Sequence, residues 1–290
     1  MQELPFINNP VVLQKELKKI SHRDLRIALI PTMGALHEGH MQLIRKAKQH
    51  AQYVVVSLFV NPLQFNKEED FINYPSDLAG DLQKLSTAET DLVFNPTAQL
   101  LFPNQPAIKF NLGTIAKNLE GAHRPGHFEG VALVVTKLFN LVNPHVTFFG
   151  LKDLQQFMVV KAIIKELSFD INLHGIPTVR EQSGLAMSSR NLRLSVQGKH
   201  LAAIIYQGLS DMSSVDLMKA TPPILKADLM SFYSRFKGLT IEYCEIIDIE
   251  TFNILTSFEE HKNIAICVAA YVEGIRLIDN IYLRQEVDKK

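Results

Sequence analysis

The chain has 290 residues, with 30 Lys and Arg residues against 30 Asp and Glu residues, so its formal net charge is zero. Hydrophobic residues make up 47% of it, a composition typical of a packed globular protein that excludes wholesale disorder. The neutral balance gives no global positive field to attract nucleic acid or an anionic membrane, and we expect neither as a partner.

The first part of the chain alternates predicted strands with predicted helices. Short apolar runs predict strands at 27–30, 53–60, 91–94 and 146–149 and an extended segment at 171–179. Helical patterns start near residue 39 and cover 77–86, 128–142 and 153–167. Because strands that alternate with helices are typical of parallel sheets with right-handed crossovers, we predict an α/β domain over residues 1–180.

The pattern changes past about residue 185. Helices are predicted at 195–212 and 222–236, followed by strands at 239–249, 264–272 and 276–283 with a turn at Glu273-Gly274. These elements form a small α+β unit with hairpin character. We therefore predict a second, smaller α+β domain over residues 181–290.

The cysteines and the N-terminus indicate the compartment. Cys244 and Cys267 lie in apolar, strand-like runs outside any CxxC pair, so we expect two buried thiols rather than a zinc site or disulfides. No basic segment followed by an apolar core marks a signal peptide at the N-terminus. The longest apolar stretches, 53–60 and 131–142, are too short or too interrupted to cross a bilayer. We predict a cytoplasmic protein.

The run 31–40 (PTMGALHEGH) is a glycine-bearing turn that follows a predicted strand and leads into a helix. Free amides and the helix dipole make such a turn an anion site, and His37 and His40 add hydrogen-bond donors for phosphate. The alternative is two surface histidines at a helix cap. A zinc motif of the HExxH type would need histidine where Met41 stands.

Two further segments carry amide and cationic side chains. Asn61 and Gln64 follow the central strand and suit a small ligand with hydroxyl and carboxylate groups, or simply form an Asn-Pro strand stop. Arg124 and His127 precede the long helix, where they can bind carboxylate or phosphate or form an exposed basic loop. The run 121–128 has the glycine spacing of a P-loop but lacks its Lys-Ser/Thr pair.

The remaining segments suit a triphosphate. Gly150 permits close backbone approach at a strand end, and Lys152 supplies a positive charge for phosphate. Segment 179–191 contains glycine, serine hydroxyls and Arg190 and could close over a triphosphate, or it could be an interdomain linker. Several such segments at the ends of strands in one sheet indicate a common nucleotide site.

These motifs occur in one order: PTMGALHEGH, FVNPLQF, YPSD, RPGHFEGV, FGLKDLQQ and GLAMSSRN. In this order they resemble the pantothenate synthetases (pantoate–β-alanine ligases), a family of the HIGH superfamily of nucleotidyl-transferring enzymes. The resemblance implies a Rossmann-like parallel sheet flanked by helices, with the smaller domain closing over the site. It also implies ATP-dependent condensation of (R)-pantoate with β-alanine to pantothenate, AMP and pyrophosphate through pantoyl adenylate. ATP and Mg²⁺ as cofactors and a homodimer are implied too.

The resemblance further implies the roles of individual residues. The implied ATP-binding residues are Met33, Gly34, Ala35, Leu36, His37, Glu38, Gly39, His40, Gly150, Leu151, Lys152, Asp153, Val179, Met187, Ser188, Ser189 and Arg190. The implied catalytic residues are the proton donor His40 with His37, Lys152 and Arg190. The implied residues for pantoate and β-alanine are Gln64, Gln156, Asn61, Arg124 and His127.

Asp81 is the residue that the resemblance implies as a candidate metal ligand. Two positions of this chain, Gly80 and Ser183, depart from the family pattern. Many relatives have an acidic residue where this chain has Gly80, so a carboxylate pair is missing. Mg²⁺ would then bind mainly through the substrate phosphates. Ser183 stands where Asp is usual and could alter how the segment around it closes.

Two other functions stay open at this point. A nucleotidyltransferase, or a shortened relative of the aminoacyl-tRNA synthetases, could use the same motifs, although the zero net charge argues against tRNA. A nucleotide-sensing module could use the same scaffold, because a fold alone does not determine function.

Overall fold

The computed structural model describes residues 4–66, 68–213, 215–217, 219–259 and 263–284. The described chain forms two compact units. Unit 1 comprises the described residues of 1–112, 124–151 and 159–177, and unit 2 those of 113–123, 152–158 and 178–290. Stretches 113–123 and 152–158 therefore cluster with the second unit, although they precede residue 180. The division of the chain at residue 180 stays a prediction.

The described residues form the following strands and α-helices, in chain order. The strands are β1 Phe6–Ile7, β2 Ile27–Thr32, β3 Tyr53–Leu58, β4 Leu92–Phe94, β5 Val146–Gly150, β6 Asn172–Ile176, β7 Leu239–Asp248, β8 Ile264–Val272 and β9 Ile275–Arg284. The helices are α1 Pro10–Ser21, α2 Glu38–His50, α3 Glu68–Ile72, α4 Leu78–Thr87, α5 Ala98–Leu101, α6 Glu120–His123, α7 His127–Val142, α8 Leu154–Glu166, α9 Val196–Met212 and α10 Pro222–Tyr233.

Unit 1 contains a six-stranded sheet in the order β1-β4-β3-β2-β5-β6, and its paired strands are parallel. The predicted parallel α/β sheet is thus confirmed. The strand order changes direction beside β2, because β3 lies on one side of it and β5 on the other. Ligands bind at the carboxyl ends of the strands at such a switch point. The turn that follows β2 therefore occupies the position in this sheet best suited to a ligand.

Burial explains why these runs form strands. In β3 every residue after Tyr53 is buried, as expected for a central parallel strand covered on both faces. Helix α2 places Leu43, Ile44 and Ala47 in the core, which is the spacing of one helix face. Their side chains pack with residues of β2, β3 and β5 in one hydrophobic cluster.

Unit 2 contains a three-stranded antiparallel sheet in the order β7-β8-β9. Residues of α9 and α10 pack with alternate residues of these strands in a hydrophobic core. The predicted turn between β8 and β9 is confirmed: Glu273 and Gly274 have φ angles of 51° and 74°, as two-residue hairpin turns require. The predicted smaller α+β domain is confirmed as a fold.

The first strand and the first helix, β1 and α1, were not predicted from the sequence. A signal for α1 was present, since Asn9 precedes Pro10 and its side chain accepts a hydrogen bond from Val11 N at 2.9 Å. Leu13 and Leu17 form the buried face of α1 at a spacing of one helical turn. Among the described residues, no helix is both long and apolar enough to cross a bilayer.

Candidate active site

The turn 33–37 joins β2 to α2 and changes the direction of the chain sharply. Gly34 and Ala35 have φ angles of 81° and 49°, in the left-handed region that favours glycine and strains alanine. Asp81 on α4 holds this turn: its carboxylate accepts hydrogen bonds from Ala35 N at 2.8 Å and Leu36 N at 2.7 Å. Lys84, one turn along α4, donates to Leu36 O at 2.7 Å.

Asp81 is buried, and this burial raises the pKa of its carboxyl, while the amides of Leu36 and Ala35 and the Lys84 ammonium lower it. Both carboxylate oxygens are committed to backbone amides. No group of three or more His, Cys, Asp or Glu side chains suited to a metal occurs among the described residues. These contacts fit a role in shaping the turn and do not fit a protein-built metal site. The assignment of Mg²⁺ to Asp81 stays a prediction.

His37 and His40 lie at the start of α2, with their ring centroids 4.1 Å apart. His37 N donates to Nδ1 of His40 at 3.3 Å, and His40 N donates to His37 O at 2.8 Å. Because Nδ1 of His40 accepts, the neutral imidazole carries its proton on Nε2. The ring is therefore oriented to donate from Nε2.

Asn61 and Gln64 are brought together by the short 3₁₀ turn Pro62–Gln64 that follows β3. Asn61 is buried, and its Nδ2 donates to Gln64 Oε1 at 3.1 Å and to Gly130 O at 3.0 Å. Gln64 Nε2 lies 2.9 Å from the Met33 sulfur. The amide of Gln64 is thus held between Asn61 and the turn after β2.

Arg124 and His127 lie on the other side of Gln64 and contact its backbone. His127 Nδ1 lies 2.8 Å from Gln64 O, and Arg124 Nη2 donates to the same oxygen at 3.4 Å. Arg124 Nη1 lies 3.2 Å from His127 Nε2. A Cβ at Gly130 would lie 2.3 Å from Leu63 O, so only glycine allows α7 to pack this closely against the 3₁₀ turn.

Lys152 and the two glutamines after it belong to unit 2. The carbonyl of Lys152 accepts a hydrogen bond from Asn280 Nδ2 at 2.8 Å. Gln155 is buried, and its side chain binds Glu120 N at 3.0 Å and donates to Ile115 O at 2.7 Å. Gln156 is partly exposed, and its assignment to pantoate stays a prediction.

Residues 179–187 form a hairpin in unit 2. Met187 N donates to Val179 O at 2.9 Å, and Glu181 N donates to Leu185 O at 2.8 Å. Arg190 N then donates to Ser188 Oγ at 3.3 Å, at the start of the 3₁₀ helix Ser189–Arg193. The predicted ATP-binding residues after Met187 thus follow directly from the hairpin.

The departure at Ser183 lies within the same hairpin. Its hydroxyl accepts a hydrogen bond from Leu185 N at 3.4 Å. An Asp oxygen lies one bond farther from the backbone, but Asp and Ser side chains both accept from the amide two residues on, so serine can serve the same turn. Asn191 stabilises the hairpin from the other side, because its Nδ2 donates to Ala186 O and Glu181 Oε1, each at 3.1 Å.

A buried ion network in unit 2 escaped the sequence analysis. Arg276 on β9 forms two hydrogen bonds to the Glu120 carboxylate, at 2.7 and 2.8 Å, and its Nε donates to Glu242 at 2.9 Å. Tyr243 OH donates to Glu120 at 2.8 Å, and burial together with that carboxylate raises the pKa of Tyr243 well above its usual value. Glu120 also donates its amide to Gln155, so the network fixes the start of α8.

The structure therefore divides the predicted site residues into two groups. Within unit 1, hydrogen bonds and ring contacts join the following residues: Met33, Gln64, Asn61, Arg124 and His127 in one cluster, and His37 with His40 at the start of α2. Within unit 2, Lys152 and the hairpin carrying Val179 and Met187 both connect to β9.

Comparison with known proteins gives one consistent family. The family model for pantoate–β-alanine ligase matches residues 6–282. The pantothenate synthetase of Cytophaga hutchinsonii is 43% identical over 272 residues, which cover 93% of this chain and 96% of that protein. The pantothenate synthetase of Thermotoga petrophila is 39% identical over 274 residues, with 93% and 97% covered.

Solved structures agree with this comparison. The crystal structure of pantothenate synthetase from Thermus thermophilus matches with a TM-score of 0.90 at 35% identity, covering 97% of this chain and 100% of that one. A pantoate–β-alanine ligase from Francisella tularensis, solved in complex with β-γ ATP and β-alanine, matches with a TM-score of 0.80 at 32% identity, covering 97% and 98%.

Proposed function

The chain belongs to the pantoate–β-alanine ligase family, and we propose that it condenses (R)-pantoate with β-alanine in two steps through pantoyl adenylate. The observation that carries this function is the family match over residues 6–282. The reaction consumes ATP and yields pantothenate, AMP and pyrophosphate. The chain is therefore an AMP-forming ligase that joins an acid to an amino acid.

The pantoate carboxylate does not react directly with an amine. Its negative charge repels the amine, and the reaction would have to expel oxide, which is not a viable leaving group. In the first step one carboxylate oxygen attacks the α-phosphorus of ATP, and the bond from that phosphorus to the bridging oxygen breaks to release pyrophosphate. In the second step the amine of β-alanine attacks the acyl carbon and loses a proton. AMP leaves with the oxygen that came from pantoate. Positioning of the reactants and neutralisation of charge provide most of the rate acceleration of the first step.

We propose that four residues stabilise the negative charge that develops on pyrophosphate: His37, His40, Lys152 and Arg190. The orientation of His40 supports this, because the proton of its neutral ring is on Nε2 and can be donated to a phosphate oxygen. Lys152 and Arg190 supply positive charge. The hydroxyls of Ser188 and Ser189 donate to the same phosphates. The other residues of 33–40, 150–153, 179 and 187–190 form the ATP-binding segments.

We assign pantoate to Gln64 and Gln156, with β-alanine also at Gln64. The hydrogen bonds around Gln64 support different roles for the remaining candidates, Asn61, Arg124 and His127. Asn61 holds the Gln64 side chain, whereas Arg124 and His127 contact its backbone carbonyl. The last three residues thus act on the substrates mainly by fixing Gln64.

Three finer features belong to the same proposal. Mg²⁺ would neutralise the ATP phosphates and bind through them, since the carboxylate of Asp81 is taken by backbone amides. A cytoplasmic location is supported by the two free, buried thiols, since unpaired cysteines are typical of reducing compartments. A homodimer is proposed from the family resemblance, and light scattering of the purified chain tests it.

The function is tested by incubating the protein with ATP, pantoate and β-alanine and omitting each in turn. AMP and pantothenate should form only in the complete mixture, and pyrophosphate exchange into ATP should require pantoate alone. A product that retains the AMP group would indicate a nucleotidyltransferase instead. ATP binding without pantoate-dependent pyrophosphate exchange would indicate a sensing module.

A further inference from the structure

We infer that Asp279 and Asn280, adjacent residues of β9, are positioning residues for two of the ATP-binding segments proposed above. Asn280 holds the backbone at Lys152, and Asp279 holds the hairpin 179–187 through Arg180. The inference rests on the proposed function, since positioning matters only if these segments bind ATP. Neither residue lies in a motif that carries the family resemblance.

Asn280 contacts the segment that carries the proposed phosphate-binding ammonium. It is buried, and its Nδ2 donates to Lys152 O at 2.8 Å. The backbone of Asn280 pairs with Cys267 on β8, the central strand of the sheet, so its side chain starts from a fixed point. The carbonyl of Lys152 lies in the short 3₁₀ helix Leu151–Asp153. Fixing that carbonyl sets where the long Lys152 side chain begins.

Asp279 contacts the hairpin through a buried ion pair. Its carboxylate accepts from Nη1 and Nη2 of Arg180 at 2.6 and 2.9 Å, and Asp279 is only 5% exposed. Nη1 of Arg180 also donates to Gly184 O at 3.2 Å, and its guanidinium lies 3.5 Å from the Tyr206 ring centroid. A bidentate, stacked guanidinium is strongly oriented, so the hairpin is held in one position.

The two residues work on opposite faces of one sheet. Successive side chains of a strand point to opposite faces. Asp279 pairs with Val268, which belongs to the core packed against α9 and α10. The side chain of Asn280 lies on the other face, where it contacts Lys152, two residues before α8 begins. One stiff strand therefore sets the positions of both segments, and a shift of about 1 Å in a positioned group can cost about 10²-fold in rate.

The first test is Asn280→Ala, which removes the donor to Lys152 O. Pantoate-dependent pyrophosphate exchange should fall about 10-fold in kcat, with KM for pantoate unchanged. The decisive arm is the double variant with Lys152→Ala. If Asn280 acts through Lys152, adding Asn280→Ala to Lys152→Ala lowers exchange no further. If Asn280→Ala acts only by weakening the structure, it should lower the exchange rate of the Lys152→Ala variant by the same factor as that of the wild type. That result would overturn the inference.

The second test is Asp279→Asn, which keeps the shape of the side chain but removes its charge, so the fold is retained more easily than with alanine. Exchange should fall at least 5-fold in kcat. The matched control is Tyr233→Phe, which removes one buried hydrogen bond of unit 2, to Ile205 O at 2.7 Å, and should retain wild-type exchange.

The outcomes separate this inference from the proposed function. Wild-type protein without pantoate-dependent exchange would refute the function, and the inference with it. Wild-type protein that exchanges normally, with Asn280→Ala and Asp279→Asn both equal to the Tyr233→Phe control, would refute the inference alone.

Discussion

The turn 33–37 of unit 1 and the hairpin 179–187 of unit 2 are held in opposite ways. The hairpin is bonded to itself by backbone hydrogen bonds and is tied to β9 by Arg180. The turn is held mainly by side chains of α4, because Asp81 accepts two of its amides and Lys84 binds one of its carbonyls. The amides of Ala35 and Leu36 both donate to Asp81, so the loss of that acceptor should be costly.

The largest effect is expected from two side chains proposed to contact the phosphates, one from each unit. His40→Ala and Lys152→Ala should each lower pantoate-dependent pyrophosphate exchange by about 10²-fold or more, the scale of one lost electrostatic group. His50→Ala and Lys165→Ala, exposed residues at the ends of α2 and α8, are the controls. Normal exchange in both active-site variants would refute the assignments.

A smaller effect, on stability, tests the comparison itself. Asp81→Ala leaves two buried amides without an acceptor and should lower the free energy of unfolding by about 2–4 kcal/mol. Asn191→Ala, which removes a side-chain support of the hairpin, should cost about 1 kcal/mol, since the backbone bonds remain. Urea unfolding measures both. An equal or greater loss of stability for Asn191→Ala would mean that the hairpin depends on its side-chain support at least as much as the turn does, which would contradict the comparison.

Gln64→Ala should raise KM for pantoate about 10-fold, because it removes the amide proposed to form one or two hydrogen bonds to pantoate. Asn61→Ala should give a smaller rise, since Asn61 acts by holding the Gln64 side chain. Steady-state kinetics with pantoate varied measures both. An unchanged KM for pantoate in Gln64→Ala would contradict its placement.

The smallest effect is expected at Ser183 in the hairpin. Ser183→Asp introduces the residue that the resemblance implies at this position. The serine hydroxyl accepts from Leu185 N, and an Asp side chain can accept from the same amide. Exchange should change less than about 2-fold, because backbone bonds carry the hairpin. A large gain in kcat would show that serine limits the segment.

Local signals explain what the sequence could predict. The apolar runs 27–30, 53–60 and 146–149 are each followed within two residues by proline or glycine, so the strands β2, β3 and β5 were predictable. The contacts of Asp81 were not, because its partner Ala35 lies 46 positions away and only the fold brings them together. The resemblance suggested a metal ligand there, whereas the contacts are those of a turn-supporting carboxylate.

Gln155 and Gln156 illustrate a second limit. They are adjacent residues of one type, and the sequence alone could not say which side chain enters the interior. Helix phase decides it, since Gln155 faces the segment 113–123 and satisfies three backbone groups there. The pair of Arg276 with Glu120, 156 positions apart, was equally out of reach of local patterns.

The most direct test of the two-step reaction follows one oxygen atom. Pantoate labelled with ¹⁸O in its carboxylate is incubated with the enzyme, ATP and β-alanine, and the nucleotide product is analysed by mass spectrometry. If pantoyl adenylate is formed, AMP carries one ¹⁸O atom from pantoate. If AMP is unlabelled, or if ADP and labelled phosphate appear in its place, the carboxylate was not activated at the α-phosphorus and the account is contradicted.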